Sequence, residues 1–277
     1  MRNFGLKVRM AIVGSILFGF YLVAAVFFSA FFGVDLILVL LVGILVVPAA
    51  QYKLGKWLAV RSVGAKDMPE EGPYAEIHHM TESLCRDMGL EKKPRLMVAS
   101  MGTPNAFATG RKGAGVVVVS TELIQILDRD ELEGVIAHEL AHINNRDVLT
   151  MVLGQSVAMI VGYAVFFAVR AIGENNPASF VLAWVASMLA NFLVMLFVLA
   201  ISRYREYVAD EDARQAIGSG DPLARALEKI SAGAEGRESN IDSSVSALCI
   251  LNTDRSLMQQ ILSTHPPTEK RIAALRS

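Results

Sequence analysis

The sequence contains few cysteines, few charges and no excess of basic residues. Two of its 277 residues are cysteines, Cys85 and Cys249, and they lack metal-ligand spacing. A disulfide framework is therefore not expected. Charged residues make up 19% of the chain and apolar residues 53%, which excludes an ordinary soluble domain. The net charge of −1, without a basic patch, argues against a nucleic-acid partner. The composition indicates a membrane protein whose polar parts lie in a reducing compartment.

The apolar residues are concentrated in four blocks, residues 10–32, 36–50, 151–169 and 180–201. The first and fourth have the roughly 20 apolar residues that a spanning helix needs. The second is short. The third contains Gln155 and Ser156, so a buried helix packed against its neighbour is the alternative to a span there. The first block is too long for a cleavable signal peptide and leads directly into the second, so it is predicted to be an anchor.

Basic residues flank the blocks on one side. They are Arg2, Lys7, Arg9, Lys53, Lys56, Arg61, Arg203 and Arg205. The loop between the first two blocks carries Asp35 and no basic residue, and the only charged residue in the loop before the fourth block is Glu174. Arg170, at the outer end of the third block, is the one basic residue that departs from this pattern. An excess of Lys and Arg marks the cytoplasmic side. Both termini and the polar segments are therefore predicted to be cytoplasmic.

The strongest motif is His138-Glu139-Leu140-Ala141-His142. On a helix, positions i and i+4 lie on one face, so two imidazoles can hold one Zn²⁺ while Glu139 acts as general base on a water. Asp128 or Asp130 can cap this helix, with Glu131 completing a capping box. The alternative is a surface helix whose two histidines have other partners.

The remaining polar sequence predicts a small mixed domain. A helix is expected at 74–88, strands at 96–99 and 116–119, an edge strand within 103–110, and helices at 221–231 and after Pro266-Pro267. His78 and His79 are expected to be solvated residues of the first of these helices.

A catalytic zinc site needs a third protein ligand. The candidate is Glu206, with Asp210 one turn later to accept the free ring N–H of a ligand histidine. The alternative is a solvated acidic face, because Glu211 and Asp212 follow directly. For the oxyanion donor, His265 or Arg203 is the candidate. Arg271 is expected to hold the last helix against the acidic stretch near Glu206.

Taken in order, these motifs resemble the HtpX family of bacterial inner-membrane zinc endopeptidases, relatives of the CAAX prenyl endopeptidases. The resemblance rests on the N-terminal hydrophobic pair, Asn105–Gly110, His138–His142, Ser202–Asp210, Thr264–Pro267 and Arg271. It implies one Zn²⁺ per chain, held by His138, His142 and Glu206, with Glu139 as catalytic base and Asp210 supporting a ligand. It also implies an edge strand on which substrate lies, formed by Asn105, Ala106, Phe107 and Ala108.

The expected architecture is a mainly α, multi-pass membrane protein with a zincin-like α+β catalytic domain and a small sheet. Four segments are predicted: a two-helix membrane anchor (1–61), the first catalytic part with the zinc helix (62–150), a transmembrane hairpin (151–201) and the second catalytic part with the third ligand (202–277). The catalytic domain is thus assembled from two segments around the hairpin. The oligomeric state is left open.

The predicted function is a zinc endopeptidase of the bacterial inner membrane that cleaves extended or unfolded cytoplasmic segments of damaged membrane proteins in quality control and stress response. Two alternatives are a CAAX-type prenyl endopeptidase and a non-catalytic zinc-containing membrane scaffold. An intramembrane protease is disfavoured because charged residues bracket the zinc motif. A transporter is disfavoured because the blocks show no matched pair broken by Gly or Pro.

Overall fold

The computed structural model describes residues 2–173, 176–234 and 263–277. The described chain is mostly helical with one small sheet, which confirms the predicted fold class. The α-helices are α1 (Arg2–Phe32), α2 (Leu36–Leu41), α3 (Val47–Ser62), α4 (Ala75–Asp87), α5 (Thr121–Ile126), α6 (Arg129–Asn144), α7 (Asp147–Ile172), α8 (Pro177–Ile217), α9 (Asp221–Ala234) and α10 (Thr268–Leu275). A π-helical turn (Val42–Val46) and a 3₁₀ turn (Gly72–Tyr74) complete the helical elements. Cys249 and most of the residues between α9 and α10 lie outside the described residues.

The sheet has four strands in the order β1-β2-β4-β3. These are β1 (Lys66–Asp67), β2 (Arg95–Ala99), β3 (Ala106–Thr109) and β4 (Val116–Ser120). β2 and β4 are parallel, whereas β1 and β3 each run antiparallel to their neighbour. The predicted strands are confirmed, and β3 is at an edge, as expected. The sequence analysis did not predict β1 or α5.

The chain divides into two compact units. One contains the described residues up to Lys53 and within Leu149–Ser202, and the other those within Leu54–Val148 and Arg203–Ser277. We call the first the membrane unit and the second the catalytic unit. α3 begins in the membrane unit and ends in the catalytic unit, where Ala59 packs on the sheet. The four segments given from the sequence stay a prediction.

Three helices of the described chain are long and apolar enough to cross a membrane: Ile12–Phe32 within α1, Asp147–Ile172 and Pro177–Ile217. The third apolar block therefore lies in a helix of spanning length. The second block is instead divided among α2, the π-helical turn and the start of α3. Pro48 accounts for the π-helical turn in this otherwise continuous helical stretch, because proline has no N–H for the carbonyl one turn earlier and its ring displaces that carbonyl.

The core of the catalytic unit covers both faces of the sheet. On one face, Ala106, Ala108, Val117 and Val119 join a cluster with side chains of α4, α6 and α9. On the other, Phe107, Val116 and Val118 pack with Met97, Ala99, Met101 and Ala59. This division follows from the strand period, since successive side chains point to opposite faces. α6, which carries the zinc motif, packs against β3, α4 and α9.

His78 corrects one expectation. It is buried, its Nε2 lies 3.2 Å from the carbonyl oxygen of Met68, and its Nδ1 lies 3.3 Å from Lys93 Nζ. The prediction of a solvated side chain was wrong because the segment after β1 packs Met68 into the core next to α4. His79 is exposed, as expected.

Candidate metal centre and active site

The histidines of the zinc motif lie on a helix with a well-defined start. Asp128 is the N-cap of α6, and its N–H donates to Glu131 Oε2 over 2.9 Å, which confirms the capping box. His138 and Glu139 are only 2% and 3% exposed. The i, i+4 spacing brings His138 Nε2 and His142 Nε2 to within 3.0 Å of each other.

Glu206 faces the two histidines from α8. Its Oε2 lies 3.6 Å from His138 Nε2, and its Oε1 lies 3.4 Å from His142 Nε2. α8 continues from the apolar block to this position because it contains no glycine or proline after Pro177 at its start. It ends just before Gly218, which has φ +79°. Folding therefore brings the three predicted metal ligands together.

Each candidate ligand histidine has a carboxylate beside its Nδ1 atom. His138 Nδ1 lies 3.0 Å from Asp210 Oδ1, and His142 Nδ1 lies 2.6 Å from Asp147 Oδ2. Because a carboxylate only accepts hydrogen bonds, we assign the ring protons to the two Nδ1 atoms. In neutral rings both Nε2 atoms are then acceptors, and a proton or a metal cation between them would remove the repulsion of two lone pairs 3.0 Å apart.

The separations of the ligand atoms fit a small divalent metal. Zinc bonds of about 2.0–2.1 Å in a tetrahedral site place the ligand atoms about 3.3 Å apart. The separations among His138, His142 and Glu206 are 3.0, 3.4 and 3.6 Å. Ligand atoms from all three residues lie within 4.8 Å of one another. The donor set of two imidazoles and one carboxylate is therefore close enough together to hold one metal ion.

The pKa values of the two histidines show what this environment favours. Burial and the charge of Arg271 lower the pKa of His138, but hydrogen bonds to Asp210 and Glu206 outweigh both effects and raise it to about 9. Burial lowers the pKa of His142 well below its ordinary value, against the attraction of Glu206. The site therefore stabilises one positive charge between carboxylates and keeps the second imidazole neutral, the form that binds metal.

Glu139 lies where burial favours its protonated form. Burial raises the pKa of its carboxyl to about 7, against the opposing charge of His138. Its carboxylate also accepts a hydrogen bond from the N–H of Ala108 in β3. A carboxyl group with a pKa near neutral can both take and return a proton.

The main-chain groups of β3 alternate between its neighbour and its outer edge. The N–H of Ser120 donates to the carbonyl of Asn105 over 2.8 Å, so the main chain of Asn105 and Phe107 faces β4. The N–H and C=O of Ala106 and Ala108 face the outer edge. The contact of Ala108 N–H with Glu139 agrees with this assignment.

The side chain of Phe107 lies away from Glu139. It is 1% exposed and packs in the cluster on the opposite face of the sheet from α6. Of the four residues predicted to bind substrate, Ala106 and Ala108 present main-chain groups at the outer edge. Asn105 is buried at the start of the strand, where its N–H donates to Ser120 Oγ over 2.9 Å.

The two candidate oxyanion donors have different positions. His265 Nδ1 lies 3.0 Å from Glu206 Oε2, so its ring is beside the metal ligands. Arg203 Nη1 donates to the carbonyl oxygen of Ser263 over 3.1 Å, close in sequence to His265. Arg271 Nη1 lies 3.1 Å from Glu206 Oε2, which confirms that it holds α10 against the acidic stretch.

The sequence analysis missed Asp147 and Arg205. Asp147 contacts His142, and Arg205 Nε lies 2.8 Å from Asp147 Oδ1. The available signal was the position of an acidic residue at the first turn after the zinc helix. Helical periodicity gave no reason to place it near His142, because the helix ends between them.

Comparisons with known proteins identify the family of this chain. The model of peptidase family M48 matches residues 72–277, a stretch that includes the site residues. A protease HtpX homolog of Halobacterium salinarum is 56% identical, over 97% of this chain and 100% of the relative. One of Pyrococcus abyssi is 39% identical, over 79% of this chain and 77% of the relative. The chain belongs to the HtpX proteases of peptidase family M48.

Membership of the HtpX family accounts for the presence of both apolar helices and a candidate metal site in one chain. Family membership makes this chain a membrane metalloprotease, whose substrates are proteins and whose apolar helices lie in a lipid bilayer. The crystal structure of S. mikatae Ste24p has the same fold, with a TM-score of 0.58 and 19% identity over 97% of this chain. This HtpX chain spans 63% of the length of Ste24p.

Proposed function

We propose that this protein is a zinc-dependent endopeptidase of the cell membrane. On this proposal it cleaves extended or unfolded cytoplasmic segments of membrane proteins, as part of quality control under stress. The observation that carries the proposal is the convergence of His138, His142 and Glu206, next to Glu139 and the outer edge of β3. Zinc is the proposed metal because two imidazoles and a carboxylate, with one position left open, are the usual donors of a catalytic zinc site.

Glu139 is the proposed general base. When bound, the zinc ion supplies a Lewis acid that polarises the scissile carbonyl and makes a water molecule more acidic. The Glu139 carboxylate would take a proton from the attacking water molecule as the water oxygen adds to the carbonyl carbon. The same carboxyl group then delivers the proton to the leaving amine nitrogen. Its buried position beside His138 favours this proton return, because burial stabilises the neutral acid.

His265 is the proposed donor to the oxyanion. Its contact with Glu206 Oε2 through Nδ1 supports this role for the imidazolium form, because only a ring that carries a proton on both nitrogens can also donate through Nε2. Arg203 is the alternative donor. Its bond to the carbonyl of Ser263 supports a second role, which is to hold the segment that carries His265.

The outer edge of β3 is the proposed substrate-binding edge. On this proposal an extended peptide adds to the sheet as a further strand by pairing with the main chain of Ala106 and the carbonyl of Ala108, since the Ala108 N–H donates to Glu139. Main-chain pairing accepts many sequences. The proposal therefore includes broad specificity for unfolded segments.

Orientation rests on the distribution of basic residues. Lys53, Lys56 and Arg61 follow the second apolar block and Arg203 follows the fourth, which supports a cytoplasmic catalytic unit.

Lys112 is exposed in the loop between β3 and β4. A Lys112→Cys variant with Cys249 replaced by serine should react with an impermeant thiol reagent in inverted vesicles. Reaction in intact cells instead would contradict the orientation.

The test of the proposed function compares wild type with Glu139→Gln, both loaded with zinc, on an unfolded casein-like substrate. Wild type should cleave, a chelator should stop it, and the variant should hold zinc but lose about 10²–10⁴-fold in rate. Equal cleavage by both proteins would remove Glu139 from the mechanism. Zinc binding without cleavage by either protein would favour the scaffold, and release of a prenylated C-terminal tripeptide would favour the CAAX-type alternative.

A further inference from the structure

Asp147 is a buried carboxylate in direct contact with one of the metal-ligand candidates. Its Oδ2 lies 2.6 Å from His142 Nδ1, and the residue is 3% exposed. This is the ring nitrogen opposite the one that faces the metal position. The contact matches that of Asp210 with His138 Nδ1 at 3.0 Å, so each histidine has its own carboxylate.

The turn between α6 and α7 brings Asp147 to this position. In an unbroken helix, the fifth residue after His142 would lie about 140° around the axis from it, too far to contact the ring. The helix instead ends at Asn144, and Arg146 has φ +57°. A left-handed conformation is unfavourable for a residue with a side chain, and here it interrupts the helical path just before Asp147, which contacts His142.

Two contacts with α8 hold this turn. Asn145 Nδ2 donates to Asp212 Oδ2 over 2.7 Å. Arg205, which is 5% exposed, has its Nε 2.8 Å from Asp147 Oδ1. Arg205 directly precedes Glu206, so Asp147 connects the helix of one ligand to the helix of another.

We propose that Asp147 is a positioning residue for the metal site. It holds the proton of His142 on Nδ1 and fixes the ring so that Nε2 faces the metal, while Arg205 holds Asp147 in place. A carboxylate behind a ligand histidine sets its tautomer and orientation and increases its basicity. The inference rests on the proposed metal site and adds Asp147 to its functional residues.

The test measures zinc affinity of the full-length protein by competition with a chelator. Asp147→Ala should weaken zinc binding about 10–100-fold. Asp147→Asn keeps an oxygen acceptor without the charge, so it should restore part of the loss. The cobalt-substituted Asp147→Ala variant should also show a shifted visible absorption spectrum, because the orientation of His142 in the metal's coordination changes. A role in folding alone would not produce that shift.

Asp212→Ala is the matched control. It removes a carboxylate that holds the same turn through Asn145 without contacting a ligand histidine, so zinc affinity should stay within about threefold of wild type. If Asp147→Ala does not fold, Asp147→Asn decides by its own affinity and cobalt spectrum. The inference is overturned if the Asp147 variants bind zinc like wild type, or if Asp212→Ala loses as much. Failure of wild type itself to bind zinc would overturn the proposed function instead.

Discussion

Arg271 and Asp210 form a buried bidentate ion pair. Arg271 Nη2 lies 2.6 Å from Asp210 Oδ1, and its Nε lies 2.9 Å from Asp210 Oδ2. Both side chains are at most 4% exposed. Since Asp210 contacts His138 and Arg271 also contacts Glu206, this pair connects α10 to two of the metal-ligand candidates.

Arg271→Ala should destabilise the metal-free protein by about 3–5 kcal/mol, because it leaves two buried carboxylates without their cation. Arg271→Lys should recover only part of this loss. Lysine restores the positive charge, but its ammonium group cannot bond two carboxylates with the same geometry as the guanidinium group. The measurement is chemical unfolding of the full-length protein in detergent. Arg276→Ala is the control: it breaks partly exposed pairs with Glu228 and Asp221 and should cost at most about 1 kcal/mol. Equal losses for both alanine variants would contradict the structural role of Arg271.

Gly134 lets α9 approach α6 closely. A Cβ atom there would lie 2.9 Å from the backbone nitrogen of Leu223 and 3.1 Å from its Cα. Gly134→Ala should therefore destabilise the protein by about 1–3 kcal/mol, although alanine favours helix by about 1 kcal/mol. Gly55→Ala is the matched control in α3, where nothing lies within 4 Å of the new Cβ, and it should be neutral or stabilising. Thermal unfolding compares the two, and a neutral Gly134→Ala would show that the helices are not in close contact.

Glu122 holds the loop that leads to β3. Its carboxylate accepts hydrogen bonds from Ser100 Oγ at 2.8 Å, Met101 N–H at 3.2 Å and Gly102 N–H at 3.0 Å. Burial opposes ionisation, but these bonds and its own N–H lower the pKa of Glu122 to about 2, from an ordinary value of 4.5. The folded state therefore favours the ionised carboxylate.

The sign of the pH dependence follows from this lowered pKa. Ionised Glu122 stabilises the loop above about pH 4.5, and the contribution is lost as the pH falls towards about 2. Glu122→Gln should raise hydrogen exchange at Met101 and Gly102 about fivefold at pH 7, equivalent to about 1 kcal/mol after allowance for exposure. The difference from wild type should shrink below about pH 4. A difference that is independent of pH would contradict the assignment.

Phe107 should act on stability and not on substrate binding. Its side chain is buried in the cluster on the far face of the sheet, whereas the main-chain groups of Ala106 and Ala108 face the proposed substrate. Phe107→Leu should cost about 1 kcal/mol of unfolding free energy and leave KM for an extended peptide within about twofold. An increase in KM of about tenfold without a change in stability would place this side chain in the substrate site.

The sequence predicted what depends on local spacing. The i, i+4 histidines, the cap at Asp128 and the edge strand β3 each have a short-range signal, and the structure contains all three. Glu206 is different, because spacing within α8 does not reveal which element α8 will contact. Its position beside His138 follows from tertiary packing. Helical spacing made Glu206 a candidate ligand without excluding a solvated acidic face, and the resemblance to a family favoured the ligand.

The contacts of Asp147 and His78 could not be predicted from local spacing. Asp147 reaches His142 because Arg146 adopts a left-handed conformation, and arginine gives no sequence signal for that conformation. His78 is buried by a segment that folds back from β1, a strand of two residues that is too short to show a pattern. Both contacts depend on the path of the chain between elements.

We propose that His138 and His142 in α6 and Glu206 in α8 form one catalytic metal site. The most direct measurement is the metal content per chain of wild type and Glu206→Ala, after purification with limiting zinc. Glu211→Ala, on the same helix but paired with Arg214 and Gln215, serves as the control. We expect about one zinc per chain for wild type and the control, and loss of zinc in Glu206→Ala. Wild-type zinc content in Glu206→Ala would contradict it.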